Sequence, residues 1–195
     1  MGLAVRIAVC EHGVGNVRSV VRAVSRVAPS AEVVVTGDPD AVRRADKIVV
    51  PGQGSFGAFA KAMHGGLDEA LKEAIAKGTP YLGICLGLQV LFEESDEAPG
   101  ERGLAIYEGR VKRIAAGDLA LPHIGWNSVS PDERFYYFAH SYVAVPKDPS
   151  LIAGTTEYGE RFATIIAKDN VLGVQFHPEK SQREGLALLE RFFSK

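Results

Sequence analysis

A chain of 195 residues, 46% hydrophobic and 24% charged with a formal net charge of −2, can bury a sizeable core without metal or disulfide staples. That charge leaves no basic footprint for nucleic acid, and no apolar run approaches the ~20 residues that span a bilayer. Cys10 and Cys85 lie far apart with no ligand spacing around them, so free thiols, no metal, no cofactor and a cytoplasmic location are expected. Residues 1–6 show no signal-peptide pattern.

Residues 5–10 (VRIAVC) read as a strand and 16–27 as a helix, with Val17, Val20, Val21, Val24 and Val27 on one face. Residues 31–36 and Lys47–Val50 are the second and third expected strands, each closed by Gly or Pro. Residues 67–77 predict a helix, with Leu67, Ala70, Leu71, Ala74 and Ile75 facing away from Asp68, Glu69, Lys72 and Glu73. Gly78 stops it before a fourth strand, Tyr81–Ile84. Apolar strands alternating with helices predict a parallel sheet covered on both faces. In the second half, 104–114, 134–145, 161–168 and 171–176 are strand-like and separated by turn signals at Gly117, Gly159 and Asn170. They predict antiparallel strands added to the parallel core, and 184–193 an amphipathic closing helix. A single α/β domain over 1–195 is expected.

The most informative segment is Gly83-Ile84-Cys85-Leu86-Gly87, where a buried strand runs into a helix expected over 86–94. A reactive side chain at a strand-to-helix turn flanked by glycines is the arrangement of a nucleophile elbow, with Cys in place of Ser. Glycines remove the Cβ atoms that would clash there, the Leu86 N–H is an oxyanion donor, and a helix N-terminus favours the thiolate. Taken alone, the segment is equally a buried Cys beside packing glycines.

A thiol needs a base, and the base needs a group that holds its tautomer. Of the histidines, His177 ends an apolar strand with Glu179 two residues on; in extended chain these share a face, and Pro178 keeps the preceding residue extended. His140 is the competing base, but no acid follows it at that offset, and it is read as lining a pocket or satisfied in the core. His12, His64 and His123 carry no catalytic pattern and read as solvated or turn residues. Gly52-Gln53-Gly54, after the third strand, is a candidate second oxyanion loop. Neither a phosphate-loop pattern nor a complete dinucleotide fingerprint is present.

GICLG with Cys85, QFHPE with His177 and Glu179, and the PGQG loop resemble the class I glutamine amidotransferases. The opening GVGNVRSV at 13–20, HIGWN at 123–127 and HPEKSQ at 177–182 resemble the glutaminase subunit family of imidazole glycerol phosphate synthase. That resemblance implies a three-layer fold and hydrolysis of glutamine to glutamate and ammonia. It further implies delivery of the ammonia to a cyclase subunit in histidine biosynthesis. It assigns Cys85, His177 and Glu179 as triad, Leu86 and the Gly52–Gln53 peptide as oxyanion donors, and Gln89, Glu97, His140, Ser141 and Tyr142 as substrate contacts. An obligate heterodimer is implied, with Asn16, Trp126, Tyr137 and Lys180 as candidates for the face that meets the cyclase. Gln53 stands where that family often has a small aliphatic residue, which leaves backbone donors intact.

Overall fold

The computed structural model describes residues 4–11, 17–52, 54–63 and 65–194. Its first half contains β1 (Arg6–Cys10), α1 (Val17–Val27), β2 (Glu32–Thr36), α2 (Pro39–Arg43), β3 (Lys47–Val50), α3 (Phe56–Met63), α4 (Leu67–Ala76), β4 (Tyr81–Ile84) and α5 (Leu86–Gln89). Then follow β5 (Glu94–Ser95), β6 (Gly109–Arg113), β7 (His123–Val129), β8 (Arg134–His140), β9 (Tyr142–Pro146), β10 (Ile152–Tyr158), β11 (Glu160–Lys168), β12 (Val171–Val174) and α6 (Gln182–Phe193).

The central seven-stranded sheet has the order β10-β11-β12-β4-β3-β1-β2. Strands β12, β4, β3, β1 and β2 run parallel, and β11 and β10 are added antiparallel at one side. Strand side chains alternate between two layers, as period-two geometry requires. Ala8, Cys10, Ile48, Val50 and Tyr81 pack with the apolar faces of α2, α3 and α4. Ile7, Val9, Val49, Leu82 and Ile84 pack with α1 and α6. Strands buried on both sides must be apolar throughout, which is why β1, β3 and β4 read so plainly. A three-stranded sheet, β5-β6-β9, and the hairpin β7-β8 complete the second half.

Three expected elements change. The helix expected over 86–94 stops after Gln89 because the carbonyls beyond it serve another segment. Val90, Leu91 and Glu93 accept from Leu104, Ile106 and Gly103, respectively. The same bonds draw the front of the strand expected at 104–114 into a loop, leaving β6. The run 134–145 divides at Ser141 into β8 and β9, which join different sheets. His123–Val129 and Ile152–Tyr158, to which the sequence reading assigned no element, are strands. The short helices α2 and α3 are further elements beyond the sequence reading. At α2, Asp38 accepts from Asp40 N at 3.0 Å and Pro39 opens the first turn, the usual chemistry of a helix start. No helix among the described residues is long and apolar enough to cross a membrane.

Candidate functional site

The central sheet places three chain segments together at the carboxyl ends of β3, β4 and β12. Cys85 follows β4 with φ 51° and ψ −102°, a conformation costly for a non-glycine residue and maintained only by its surroundings. Those surroundings are backbone. A Cβ on Gly83 would lie 2.3 Å from the Gly87 carbonyl, and one on Gly87 would lie 2.1 Å from the Val50 carbonyl. One on Gly52 would lie 2.0 Å from the Ile84 carbonyl and 2.2 Å from Leu86 N. The loop after β3 therefore lies directly on the elbow, bringing the Gly52 backbone against the Leu86 N–H. Gln53 lies outside the described residues.

Helix α5 is a single turn, so the dipole support expected for a thiolate from a longer helix is much reduced. Other groups attend the sulfur instead. Cys85 lies close enough to His177 to raise the imidazole, and His177 Nδ1 donates to Glu179 Oε1 at 2.9 Å, which leaves Nε2 free to face the sulfur. Burial lowers the His177 pKa, but the Cys85 and Glu179 charges outweigh it and raise it to about 10. Glu179 is itself buried, and its Oε2 has no hydrogen-bond partner among the described residues, so the imidazole is the group that offsets its charge. Cys10, by contrast, is fully buried in the core, where burial pushes its thiol up to about 12.

The segment carrying His177 is tied to the hairpin. His177 N donates to the Tyr137 carbonyl at 2.9 Å, Tyr137 N donates to Ser181 Oγ at 2.9 Å, and Ser181 Oγ donates to the His177 carbonyl at 2.6 Å. Tyr137 stands opposite Trp126 in the β7–β8 register, with the rings 6.3 Å apart, and Lys180 Nζ lies 5.7 Å over the Tyr137 ring. Trp126 is 47% exposed, and Ile124 and Phe135 on the same hairpin are 62% and 57% exposed. Trp126 is thus a surface residue of an apolar face that begins at the backbone partner of His177. Asn16 lies outside the described residues.

The expected substrate contacts are placed unevenly. Gln89 is buried and donates from Nε2 to the Tyr142 carbonyl at 2.9 Å and to Gln175 Oε1 at 3.1 Å. Glu97 accepts from Phe56 N at 2.7 Å, at the start of α3, so its carboxylate holds the helix that follows the Gly52 loop. Ser141 and Tyr142 are partly buried. His140 is buried with both ring nitrogens used: Nδ1 lies 3.0 Å from the Tyr142 carbonyl and Nε2 lies 3.2 Å from His123 Nδ1. A carbonyl only accepts, so His140 carries its proton on Nδ1 and His123 donates. His123 is therefore no turn or solvated residue; it is buried and stacked on Tyr158 at 4.0 Å. Burial lowers the two rings to about 4 (His123) and about 3 (His140). His12 and His64 fall outside the described residues. The sequence reading missed Gln175 and Ser181, although Gln175 interrupts an otherwise apolar strand end, a recognisable signal.

The family description "Glutamine amidotransferase class-I" matches residues 8–195. The chain belongs to that family. A relative named imidazole glycerol phosphate synthase subunit HisH from Nitrosomonas europaea is 46% identical, over 95% of this chain and 96% of its own length. Relatives of the same name from Pyrococcus furiosus and Aquifex aeolicus are 42% and 44% identical, with similar coverage. Among solved structures, the Thermotoga maritima PurLQS structure superposes with a TM-score of 0.76 at 18% identity, covering 99% of this chain and all of that one. A crystal structure described as glutamine amidotransferase gives 0.71 at 19% identity, over 96% of this chain and 97% of that one. These likenesses show the amidotransferase fold.

Proposed function

We propose that this amidotransferase hydrolyses glutamine to glutamate and ammonia and supplies the ammonia to the cyclase subunit of imidazole glycerol phosphate synthase, acting as one domain over 1–195. The observation that carries this is His177, held by Glu179 at 2.9 Å and close enough to the elbow Cys85 to feel its charge, in a chain more than 40% identical to the HisH relatives along nearly its whole length.

The mechanism follows from the residues. Cys85 Sγ attacks the side-chain carbonyl carbon of glutamine, and the oxyanion forms beside the Leu86 N–H and the Gly52–Gln53 peptide, each donor worth roughly 3–4 kcal/mol in comparable sites. His177, charged and buried, gives its proton to the departing ammonia and leaves a glutamyl thioester. Water then attacks that carbonyl while His177 takes a proton. The C–S bond breaks with its electron pair returning to sulfur, and glutamate leaves. Glu179 keeps the proton on Nδ1 and aims Nε2 at the reacting atoms. Gln89, Glu97, Ser141 and Tyr142 are the proposed walls of the substrate pocket, with His140 acting behind them. Glu97 has a second task in this reading, since a substrate ammonium would share it with Phe56 N.

The apolar face of Ile124, Trp126, Phe135 and Tyr137, with Lys180 at its edge, is proposed to meet the cyclase, because such a patch beside the site is characteristic of an interface; Asn16 is assigned to the same interface from the family resemblance alone. The test is glutamate release by the purified chain with and without the cyclase and its ribonucleotide ligand. Strong stimulation that disappears in Cys85→Ala is expected. Equal turnover without the cyclase would move the chain to another ammonia-accepting partner, and activity surviving in Cys85→Ala would overturn the chemistry.

A further inference from the structure

Strand β12 pairs with β4 in register from Val171↔Tyr81 to Val174↔Ile84, and Cys85 N donates to the Val174 carbonyl at 2.7 Å. One step beyond that register, Gln175 stands beside Cys85. Its side chain is fully buried, and its Nε2 lies 3.5 Å from Cys85 Sγ. Resting on the reading of Cys85 as nucleophile, we propose that Gln175 is a further catalytic residue. Its side-chain amide donates to the Cys85 sulfur and is oriented to do so by Gln89 and the Tyr142 carbonyl.

The orientation is forced by the order of donors and acceptors. The Tyr142 carbonyl can only accept, and it takes the His140 Nδ1 proton at 3.0 Å and one Gln89 Nε2 proton at 2.9 Å. Gln89 must therefore present its NH2 group on that side, and its second proton meets Gln175 Oε1 at 3.1 Å. With its oxygen committed, Gln175 has its NH2 left for the sulfur. Turning either amide over would set donor against donor or acceptor against acceptor inside the core, where each unsatisfied group costs roughly 1–3 kcal/mol. A residue that served packing alone at this position would be apolar, as its neighbours Val174 and Phe176 are.

Such a donor acts where charge changes. It holds the thiolate before attack, contributes little to the neutral thioester, and again receives the sulfur when the C–S bond breaks and the electron pair returns to it. His177, carried by Glu179 and coupled electrostatically to Cys85, is the titratable group that handles the proton. Gln175 carries none, so the two roles are separable.

The experiment is alkylation of the full chain by iodoacetamide from pH 5 to 10, with the modified cysteine located by mass spectrometry. This probe bypasses glutamine binding, so the contact of Gln89 with substrate does not enter. Gln175→Met is expected to slow Cys85 alkylation at pH 7 about tenfold, the effect of one hydrogen bond to a charged group, with rates meeting the native ones at high pH. Gln89→Met, which leaves Gln175 in place but unoriented, is expected to move in the same direction, and it decides the question if Gln175→Met does not fold. A folded variant with an unchanged profile, or one slowed equally at every pH, overturns the proposal. The same outcome in a chain whose Cys85→Ala variant has lost glutaminase activity removes Gln175 alone, whereas activity retained in Cys85→Ala removes the nucleophile reading itself.

Discussion

At position 52 a single methyl group decides whether two loops can touch. Its nearest neighbours would be the Ile84 carbonyl at 2.0 Å and Leu86 N at 2.2 Å, both backbone atoms that cannot rotate aside. Gly52→Ala is expected to push the loop after β3 off the elbow. It should lower kcat for glutamine by at least about tenfold and stability by about 1–3 kcal/mol, the usual range for overpacking, as read from steady-state assay and thermal unfolding together. Glu179 acts through charge instead of space. Glu179→Gln keeps an oxygen for His177 Nδ1 but removes the negative charge that, with Cys85, outweighs burial and raises the imidazole. Turnover should fall about 100-fold or more, the scale of a lost general acid, in a steady-state assay of the folded variant. A variant with native turnover would show that His177 needs no charged partner. The sequence shows Cys85, His177 and Glu179 through their spacing, whereas Ser181 and Gln175 give weaker signals because their roles arise from partners 44 and 90 residues away.

At the scale of elements, the segment after β12 is held as an extra rung on β8. Ser181 Oγ bonds both Tyr137 N and the His177 carbonyl, and His177 N bonds the Tyr137 carbonyl. The backbone of one partly buried aromatic residue, Tyr137, thereby sets the position of the proposed base. Ser181→Ala leaves a buried donor and acceptor without their partner and is expected to cost about 1–3 kcal/mol. It should also reduce cyclase-stimulated glutaminase turnover more than turnover of the chain alone. Equal reduction of both would argue that the rung carries stability only. Elements such as α4, with an apolar face at helical period, and β3 and β4, short apolar runs closed by Gly or Pro, are legible from local pattern. Strand β7 is not, because Ile124 and Trp126 face outward and invert the pattern expected of a half-buried strand.

Across the whole molecule, the buried histidine pair gives the fold an acid limit. In the unfolded chain each imidazole takes a proton near 6.5, but in the native one His123 and His140 do so only at about 4 and about 3. Lowered native values mean that this stability is complete above pH 6.5 and is lost as pH falls through that window. The slope is about 1.4 kcal/mol per pH unit for each proton that the unfolded chain alone binds. His177 has the opposite sign, and its contribution is already complete below 6.5, so it does not mask the trend. Urea unfolding between pH 7 and 4 should show the decline, and His140→Gln, which retains a donor for the Tyr142 carbonyl, should flatten it. A decline of equal steepness in the variant would place the acid sensitivity elsewhere.

The amino-acid order alone determined the parallel α/β core, the strand-to-helix elbow at Cys85 and the His177–Glu179 pair. Each depends on residues close in the chain and on a period that burial enforces. Only the tertiary structure decided that α5 ends after one turn, that Glu97 holds α3, that His123 is buried against His140, and that Gln175 reaches the sulfur. Those outcomes turn on which distant carbonyl or amide claims each hydrogen-bonding group, a competition that local pattern does not encode.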